Sequence, residues 1–154
     1  MAQRAVDITP EDHPGLAGRL NTLTGSLSDR YRRTQRTYDL VEAIRKSRKA
    51  VNITPGDHPD LAIWLNTLAG SLFLRYHQTG RKDDLEDAIR TSWKAVNLTT
   101  EDHPDLTILL NNLAVKLSDR YNRTGQINDL EEAILTTQKA VDLTLKTILT
   151  SQAG

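Results

Sequence analysis

Residues 57–72, DHPDLAIWLNTLAGSL, decide the fold because the same phrase occurs three times in the chain. Residues 102–117 read DHPDLTILLNNLAVKL and residues 12–27 read DHPGLAGRLNTLTGSL, at a constant spacing of 45 residues. A fixed period of this length is typical of repeat proteins, in which each repeat is one supersecondary unit. The sequence therefore predicts one repeat domain over residues 1–154, with repeats near 15–59, 60–104 and 105–149, and with residues 1–14 as the remnant of a preceding repeat.

The first half of each repeat predicts an amphipathic helix. In the second repeat the stripe residues follow one another at intervals of four, three, four and four: Leu61, Leu65, Leu68, Leu72 and Tyr76. These intervals place the side chains on one face of a helix. The DHP sequence favours the beginning of the helix, where Asp57 or His58 can cap free amides, and Gly80 favours its end. Gln35 replaces this glycine in the first repeat, which predicts a less well-formed turn there.

The second half of each repeat predicts another helix. Asp39 with Glu42 has the spacing of a capping box, as do Asp84 with Asp87 and Asp129 with Glu132. One face of the second-repeat helix is apolar or small: Leu85, Ala88, Ile89, Ser92, Ala95 and Val96. Since no segment has the alternation of a strand, the predicted fold class is all-α.

Composition excludes several functions. Lys plus Arg and Asp plus Glu each total 20, so the formal net charge is zero, which argues against nucleic-acid binding and against a polybasic membrane contact. The sequence contains no cysteine and has neither a signal-peptide pattern nor a membrane-spanning apolar run. We therefore expect a cytoplasmic protein that has no contact with the membrane.

The candidates for chemistry are few. His13, His58 and His103 occupy equivalent positions and could together bind a metal, but a loop-shaping and helix-capping role is favoured because no further ligand is placed by the pattern. The Arg-Tyr pairs at residues 30–31, 75–76 and 120–121 could bind a ligand; the favoured alternative is that Tyr packs between helices while Arg pairs with an acid of the turn. No phosphate loop or catalytic motif is found. We expect neither a cofactor nor enzymatic activity.

The repeat resembles the tetratricopeptide repeat, extended from 34 to 45 residues. Leu65, Leu68, Ala69 and Leu72 are spaced like the first-helix signature W-x2-L-G-x2-Y of that family, and Ala88 and Ala95 resemble its second-helix signature. The DHPDxxxxLNNLA phrase is similar to the kinesin light chain class. The whole unit is similar to arrays in fungal multidomain proteins that flank a nucleotide-binding or CHAT domain. The resemblance implies a right-handed α-solenoid of about three extended hairpins that binds proteins.

The same resemblance implies a peptide-binding groove. Asparagines at the matching positions hold cargo peptides in the kinesin light chain class, and here they are Asn21, Asn66 and Asn111, extended by Asn112. The apolar middle of the groove would consist of Ile63, Phe73, Leu74 and Ile108. The alternative role for each asparagine is to bridge adjacent first helices.

The C-terminal end offers a second kind of interaction. Pro10 and Pro55 are predicted to end the equivalent helices of the first two units, whereas Leu145 stands at this position in the last helix, which can therefore continue through AVDLTLKTILTSQ. Its apolar residues are Leu143, Leu145, Ile148 and Leu149. Because the ends of a solenoid expose core faces, this extension either caps the array or associates with another copy. Self-association is therefore the alternative function, with a homo-oligomer as its product.

Overall fold

The computed structural model describes residues 2–7 and 13–153, and in these residues it is entirely helical apart from turns and loops. The helices are α1 (Ala2–Asp7), α2 (Leu16–Thr34), α3 (Thr37–Asn52), α4 (Leu61–Thr79), α5 (Lys82–Leu98), α6 (Leu106–Thr124) and α7 (Ile127–Ala153). The all-α prediction is confirmed for this part of the chain. Pro10, which we expected to end a helix, lies outside the described residues.

The predicted apolar stripe of the first helices is buried. Leu61, Leu65, Leu68 and Leu72 of α4 are each at most 5% exposed. Their counterparts in the other repeats are also buried, with only Leu27 half-buried: Leu16, Leu20, Leu23, Leu106, Leu110, Leu113 and Leu117. The 3.6-residue period of these leucines is therefore what aligns each first helix on the core.

The second helices bury the small and apolar face that their sequence predicts. On α5 every member of that face is buried, from Leu85 through Ala88 and Ile89 to Ala95 and Val96. Alanines at two of these positions allow a neighbouring helix to approach closely. Helix α3 ends at Asn52, three residues before Pro55, whereas α7 continues for 27 residues, as the absence of proline at Leu145 predicts.

The chain divides into two compact units, residues 1–91 and 92–154, and the division falls within α5. In the first unit α2 packs on α3, α3 packs on α4, and α2 also contacts both α4 and α1. One core cluster of this unit joins Tyr31 of α2, Leu40 and Ile44 of α3, and Leu68 and Leu72 of α4. In the second unit α6 packs on α7.

The turn that follows each first helix has the same backbone geometry in all three repeats. Gln35, Gly80 and Gly125 adopt left-handed conformations with φ of 59°, 73° and 71°. In each case the backbone amide donates to a tyrosine carbonyl four residues earlier, over 2.7 Å. The prediction of a less well-formed turn at Gln35 was therefore wrong. Glutamine bears a steric cost in the left-handed conformation that glycine avoids, but its Nε2 donates to the carbonyls of Tyr31 and Arg32, over 3.4 and 3.3 Å.

A forked ion pair joins the two helices of each hairpin. Arg30 donates from Nε and Nη2 to both carboxylate oxygens of Asp39, each over 2.7 Å. The same bidentate contact, at 2.8–3.0 Å, recurs twice: Arg75 with Asp84, and Arg120 with Asp129. Pairing of the repeated arginine with an acid of the turn is thus confirmed.

These aspartates were also predicted to be N-caps, and that assignment was wrong. Helix α3 begins at Thr37 after Arg36, so Asp39 lies in the first turn and not at the cap. Its side chain is 2% exposed and is directed to Arg30. A buried carboxylate without a charged, hydrogen-bonded partner costs more free energy than a helix N-terminus without a capping acceptor. The guanidinium of Arg30 supplies that partner.

The electrostatics of the first pair follow from this geometry. The hydrogen bonds from Arg30 hold the pKa of the Asp39 carboxyl below its ordinary value, and those bonds also raise the pKa of Arg30. A carboxyl whose pKa is lower in the folded state stabilises the fold above its unfolded pKa, near 4. This contribution is therefore present at neutral pH and is lost as the pH falls below about 4.

Replacing Asp84 by Asn is expected to destabilise the fold, because Arg75, with 19% of its side chain exposed, would keep a largely buried charge without its counter-ion. Removal of one member of a buried pair costs about 3–5 kcal/mol, and the residual exposure of Arg75 places this case at the lower end. Urea denaturation measures the loss. Asp83→Asn, which removes an exposed charge from the same helix turn, is the control and should cost less than about 1 kcal/mol. Equal losses for the two variants would contradict the assigned role of the fork.

Gln35→Gly is expected to raise the free energy of unfolding by up to about 1 kcal/mol, because glycine removes the steric penalty of the left-handed conformation. The gain is limited because glycine increases the entropy of the unfolded chain and loses the two hydrogen bonds of the Gln35 side chain. The reciprocal variant Gly80→Gln should lose a similar amount. Thermal denaturation of both proteins checks the pair, and a destabilised Gln35→Gly would show that the glutamine side chain stabilises the turn.

Candidate functional site: the asparagine face

Four of the predicted groove residues share one face of α4. Asn66 lies at its centre, with Ile63 one turn before it and Phe73 and Leu74 two turns after it. All four side chains are half-buried, and the core leucines of α4 lie on the other side of the helix. We call this surface the asparagine face of α4, and the equivalent surfaces of α2 and of α6 are each named in the same way.

Phe73 is held by its neighbours within the first unit. Its ring stacks on Tyr76, with centroids 6.2 Å apart, and meets the edge of His77 at 4.5 Å. Phe73 also packs against the core cluster that contains Leu68 and Leu72. The side chain therefore has a fixed position and is partly exposed, as an anchor for a ligand must be.

On α2 the asparagine face is built from small and polar residues. Asn21 is half-buried, and its Oδ1 atom is buried without a hydrogen-bond donor among the described residues. Gly18 precedes it by three residues and Gly25 follows it by four, so all three lie on one face. A buried amide oxygen without a donor costs free energy.

Two glycines of this face are not required by packing among the described residues. A Cβ atom added at Gly25 or at Gly70 would meet no heavy atom within 4 Å. Glycine inside a helix costs about 0.5–1 kcal/mol relative to alanine, so both positions destabilise the free chain. Gly70, which lies between Asn66 and Leu74, was missed by the sequence analysis; its signal was that it repeats Gly25 at a spacing of 45 residues.

On α6 the corresponding face is more apolar and more exposed. Ile108 and Val115 are 59% and 55% exposed, and Asn111 lies between them and is exposed as well. Asn112 points to the flank of this face and is half-buried. Its backbone carbonyl accepts a hydrogen bond from the Lys116 ammonium, with Nζ and O 3.1 Å apart.

Lys116 is a buried cation that the sequence analysis did not single out. The residue is only 4% exposed, and burial lowers the pKa of its ammonium from 10.5 to about 8. The equivalent residues in the other repeats are Ser26 and Ser71. A comparison of these three positions would have flagged the lysine as the one residue that is not serine.

The three repeated histidines shape the loop before each first helix. Nδ1 of His13 accepts the amide of Gly15 at 2.9 Å, and His58 and His103 accept the amides of Asp60 and Asp105 at 3.0 Å. The loop-shaping role is confirmed. The bound amides belong to the residue that precedes each helix, so capping of the helix itself stays a prediction. Among the described residues, no group of three His, Cys, Asp or Glu side chains is arranged to hold a metal ion.

The C-terminal part of α7 places its apolar residues in two environments. Leu143 is half-buried and lines a surface cavity of about 440 Å³, together with His103, Pro104 and Thr107. The other three residues of the predicted extension are 45–66% exposed: Leu145, Ile148 and Leu149. Leu143 of the extension therefore borders the same cavity as the loop before α6, whereas the other three residues leave an apolar stripe exposed.

Comparison with known proteins gives no family for this chain: no protein-family model matches it, and no curated protein matches it. Within the described residues, the helices are too short or too polar to cross a membrane. The function must therefore be argued from the asparagine face and from the exposed apolar surfaces.

Lys116→Met is expected to stabilise the fold at pH 7. The Lys116 side chain is protonated at this pH in both the folded and the unfolded chain, and the folded chain must bury its charge. The lowering of the pKa from 10.5 to about 8 corresponds to roughly 3 kcal/mol, an upper limit since Met loses the bond to Asn112.

The advantage of methionine should shrink as the pH rises from about 8 to 10.5, where the lysine of the folded state is neutral but that of the unfolded state is not. Urea denaturation at several pH values measures the difference between the two proteins. Lys94→Met, at an exposed position of α5, is the control and should show no such pH dependence. A pH-independent difference for Lys116→Met would contradict the assigned burial cost.

Proposed function

We propose that this chain is a protein-interaction scaffold whose asparagine face binds an extended peptide or an extended segment of a partner protein. The observation that carries the proposal is the pair of helix-interior glycines, Gly25 and Gly70, whose missing Cβ atoms face open space. A glycine that destabilises its own helix and is not required by packing is explained if the backbone of a ligand approaches there.

The side chains beside the glycines suit such a ligand. Each asparagine amide offers two donors and one acceptor, which can pair with a peptide backbone regardless of its sequence. Phe73, fixed by Tyr76 and His77, offers an apolar contact for one large side chain of the ligand.

We also propose an architecture and a cellular location for this scaffold. The 45-residue repeat, together with the packing of α2, α3 and α4 in chain order, supports a right-handed α-solenoid of tetratricopeptide kind. In such an array each repeat adds a similar weak contact, so several contacts together give a useful affinity. We propose a non-enzymatic adaptor in the cytoplasm, where a cysteine-free sequence needs no disulfide framework.

The test begins with a selection of peptides from a random library and continues with titrations of variants. Gly70→Ala should raise the free energy of unfolding by about 0.5–1 kcal/mol and at the same time weaken peptide binding, because its methyl group occupies the approach path of the ligand. Opposite signs for stability and affinity are the signature of a glycine kept for binding. Asn66→Ala should also weaken binding, by about 0.5–1.5 kcal/mol for each hydrogen bond lost.

Gly56→Ala is the matched control, because its added Cβ also meets open space but the residue lies in the loop before α4. It should leave the affinity unchanged. If Gly70→Ala binds the selected peptides as tightly as the parent chain, the asparagine face is not the binding surface.

A further inference from the structure

The last helix exposes a surface that the equivalent helix of the first repeat buries. Ile44 of α3 is 4% exposed, whereas Ile134, its counterpart on α7, is 59% exposed. Val141 of α7 is 46% exposed, and its counterpart Val51 is half-buried against two core clusters. Ile134 and Val141 are seven residues apart and therefore lie on the same side of α7.

Helix α2, the first helix of the first repeat, exposes the surface that would pair with this side of α7. On α4, Ser71 and Leu72 are 2% and 0% exposed, whereas the equivalent residues of α2, Ser26 and Leu27, are exposed and half-buried. Together with Leu23, these α2 residues line a surface cavity of about 510 Å³ between α1 and the beginning of α3. We call this cavity the α2 groove.

The packing of α3 on α4 shows what fills such a groove. Ile44 of α3 shares a core cluster with Leu68 and Leu72 of α4, and α3 and α4 are in contact. By the 45-residue repeat, Ile134 is the equivalent of Ile44, and Leu27 is the equivalent of Leu72. The chain thus carries both halves of one interface that it already forms internally.

We propose that two copies of this chain associate head to tail, with α7 of one copy occupying the α2 groove of the next as α3 occupies α4. Ile134 of one copy then packs on Leu23 and Leu27 of its neighbour. The contact joins two different surfaces, so it is heterologous and leads either to a closed ring or to an open chain of copies.

Helix α1 competes for part of this site. By the 45-residue repeat, residues 2–7 are the equivalents of residues 47–52 of α3, so Val6 is the equivalent of Val51. Val6 packs against the core cluster that contains Leu16 and Ala17 of α2. A docked α7 would place Val141 where Val6 lies. Association therefore requires α1 to leave, and this short helix limits the affinity in the free protein.

The 45-residue repeat predicts which exposed apolar residues of α7 belong to the interface and which do not. Leu135, beside Ile134, is even more exposed at 65%, but its counterparts Arg45 and Arg90 are exposed on the second helices of the other repeats. Leu135 thus lies outside the proposed interface. Leu135→Arg is the matched control for Ile134→Asp, since the two exposed apolar residues are neighbours and only one of them is buried by docking.

Sedimentation of the full chain over a range of concentrations tests the proposal. The parent chain should associate, and Ile134→Asp should raise the dissociation constant about 10- to 100-fold, the effect of failing to bury one isoleucine. Ser26→Glu, at a position that is exposed in the free chain, should block the groove to a similar extent without disturbing the fold. Leu135→Arg should associate like the parent.

A mixture of the two blocked variants is the decisive arm. The Ser26→Glu copy retains an intact α7 and the Ile134→Asp copy retains an intact α2 groove, so an equimolar mixture should form a dimer with one copy of each. A parent chain that stays monomeric throughout overturns the proposal. So does a mixture that remains monomeric, or a Leu135→Arg chain as impaired as Ile134→Asp.

A substitution in α1 tests whether this helix competes with α7 of another copy. Val6→Asp removes the apolar contact that holds α1 in the cluster, so it should tighten association at least severalfold, and circular dichroism should show that the other helices persist. Unchanged or weaker association would overturn the competition. Gly70→Ala should leave the dissociation constant of self-association unaltered, which keeps failure of this proposal distinct from failure of peptide binding.

Discussion

The Arg–Asp fork between the two helices of each hairpin is the contact on which the regularity of this structure depends. Its members are nine residues apart, on either side of the turn, and the guanidinium is bound by both carboxylate oxygens in all three repeats. A bidentate pair accepts little variation in distance or in plane, so it fixes how the second helix leaves the turn. Because a buried ion pair adds little net stability over an apolar alternative, we infer that its main effect is to specify one geometry.

Because the hairpin geometry is constant, equivalent residues of the three repeats lie at equivalent positions on their own hairpins. The asparagines of the first helices therefore lie on one kind of surface, and the difference between repeats is restricted to their neighbours: glycine at Gly18 and Gly25 of α2, and larger aliphatic residues at Ile108 and Val115 of α6. The same constancy explains why Ile134 is exposed although Ile44 is buried. The residue has not changed, but α3 is covered by α4 in the first unit, whereas Ile134 remains open to solvent.

The sequence predicted the helices well because their signals are local and repeated. The leucine period of α4, the glycine at Gly80 and the missing proline at Leu145 all act within a few residues, and the structure agrees with each. Asp39 was misassigned because a carboxylate near a helix N-terminus satisfies two patterns, and only the position of Arg30 decides between them. Lys116 and Gly70 could not be ranked by local pattern, since what matters is how deeply the lysine is buried and that the glycine faces open space.

The two proposed interactions use different sides of the same helices and set different demands on them. A ligand on the asparagine face contacts side chains that protrude from the first helices, and it can be accommodated without changing how the hairpins pack. Association through the α2 groove repeats a contact from inside the fold, so it is as specific as the fold itself but must displace α1. In the first unit this contact joins Ile44 to Leu68 and Leu72, and the counterparts Ile134, Leu23 and Leu27 are of the same residue types, so the two surfaces are complementary. The six residues of α1 lie where α7 of another copy would dock, so access to the α2 groove depends on whether α1 stays in place.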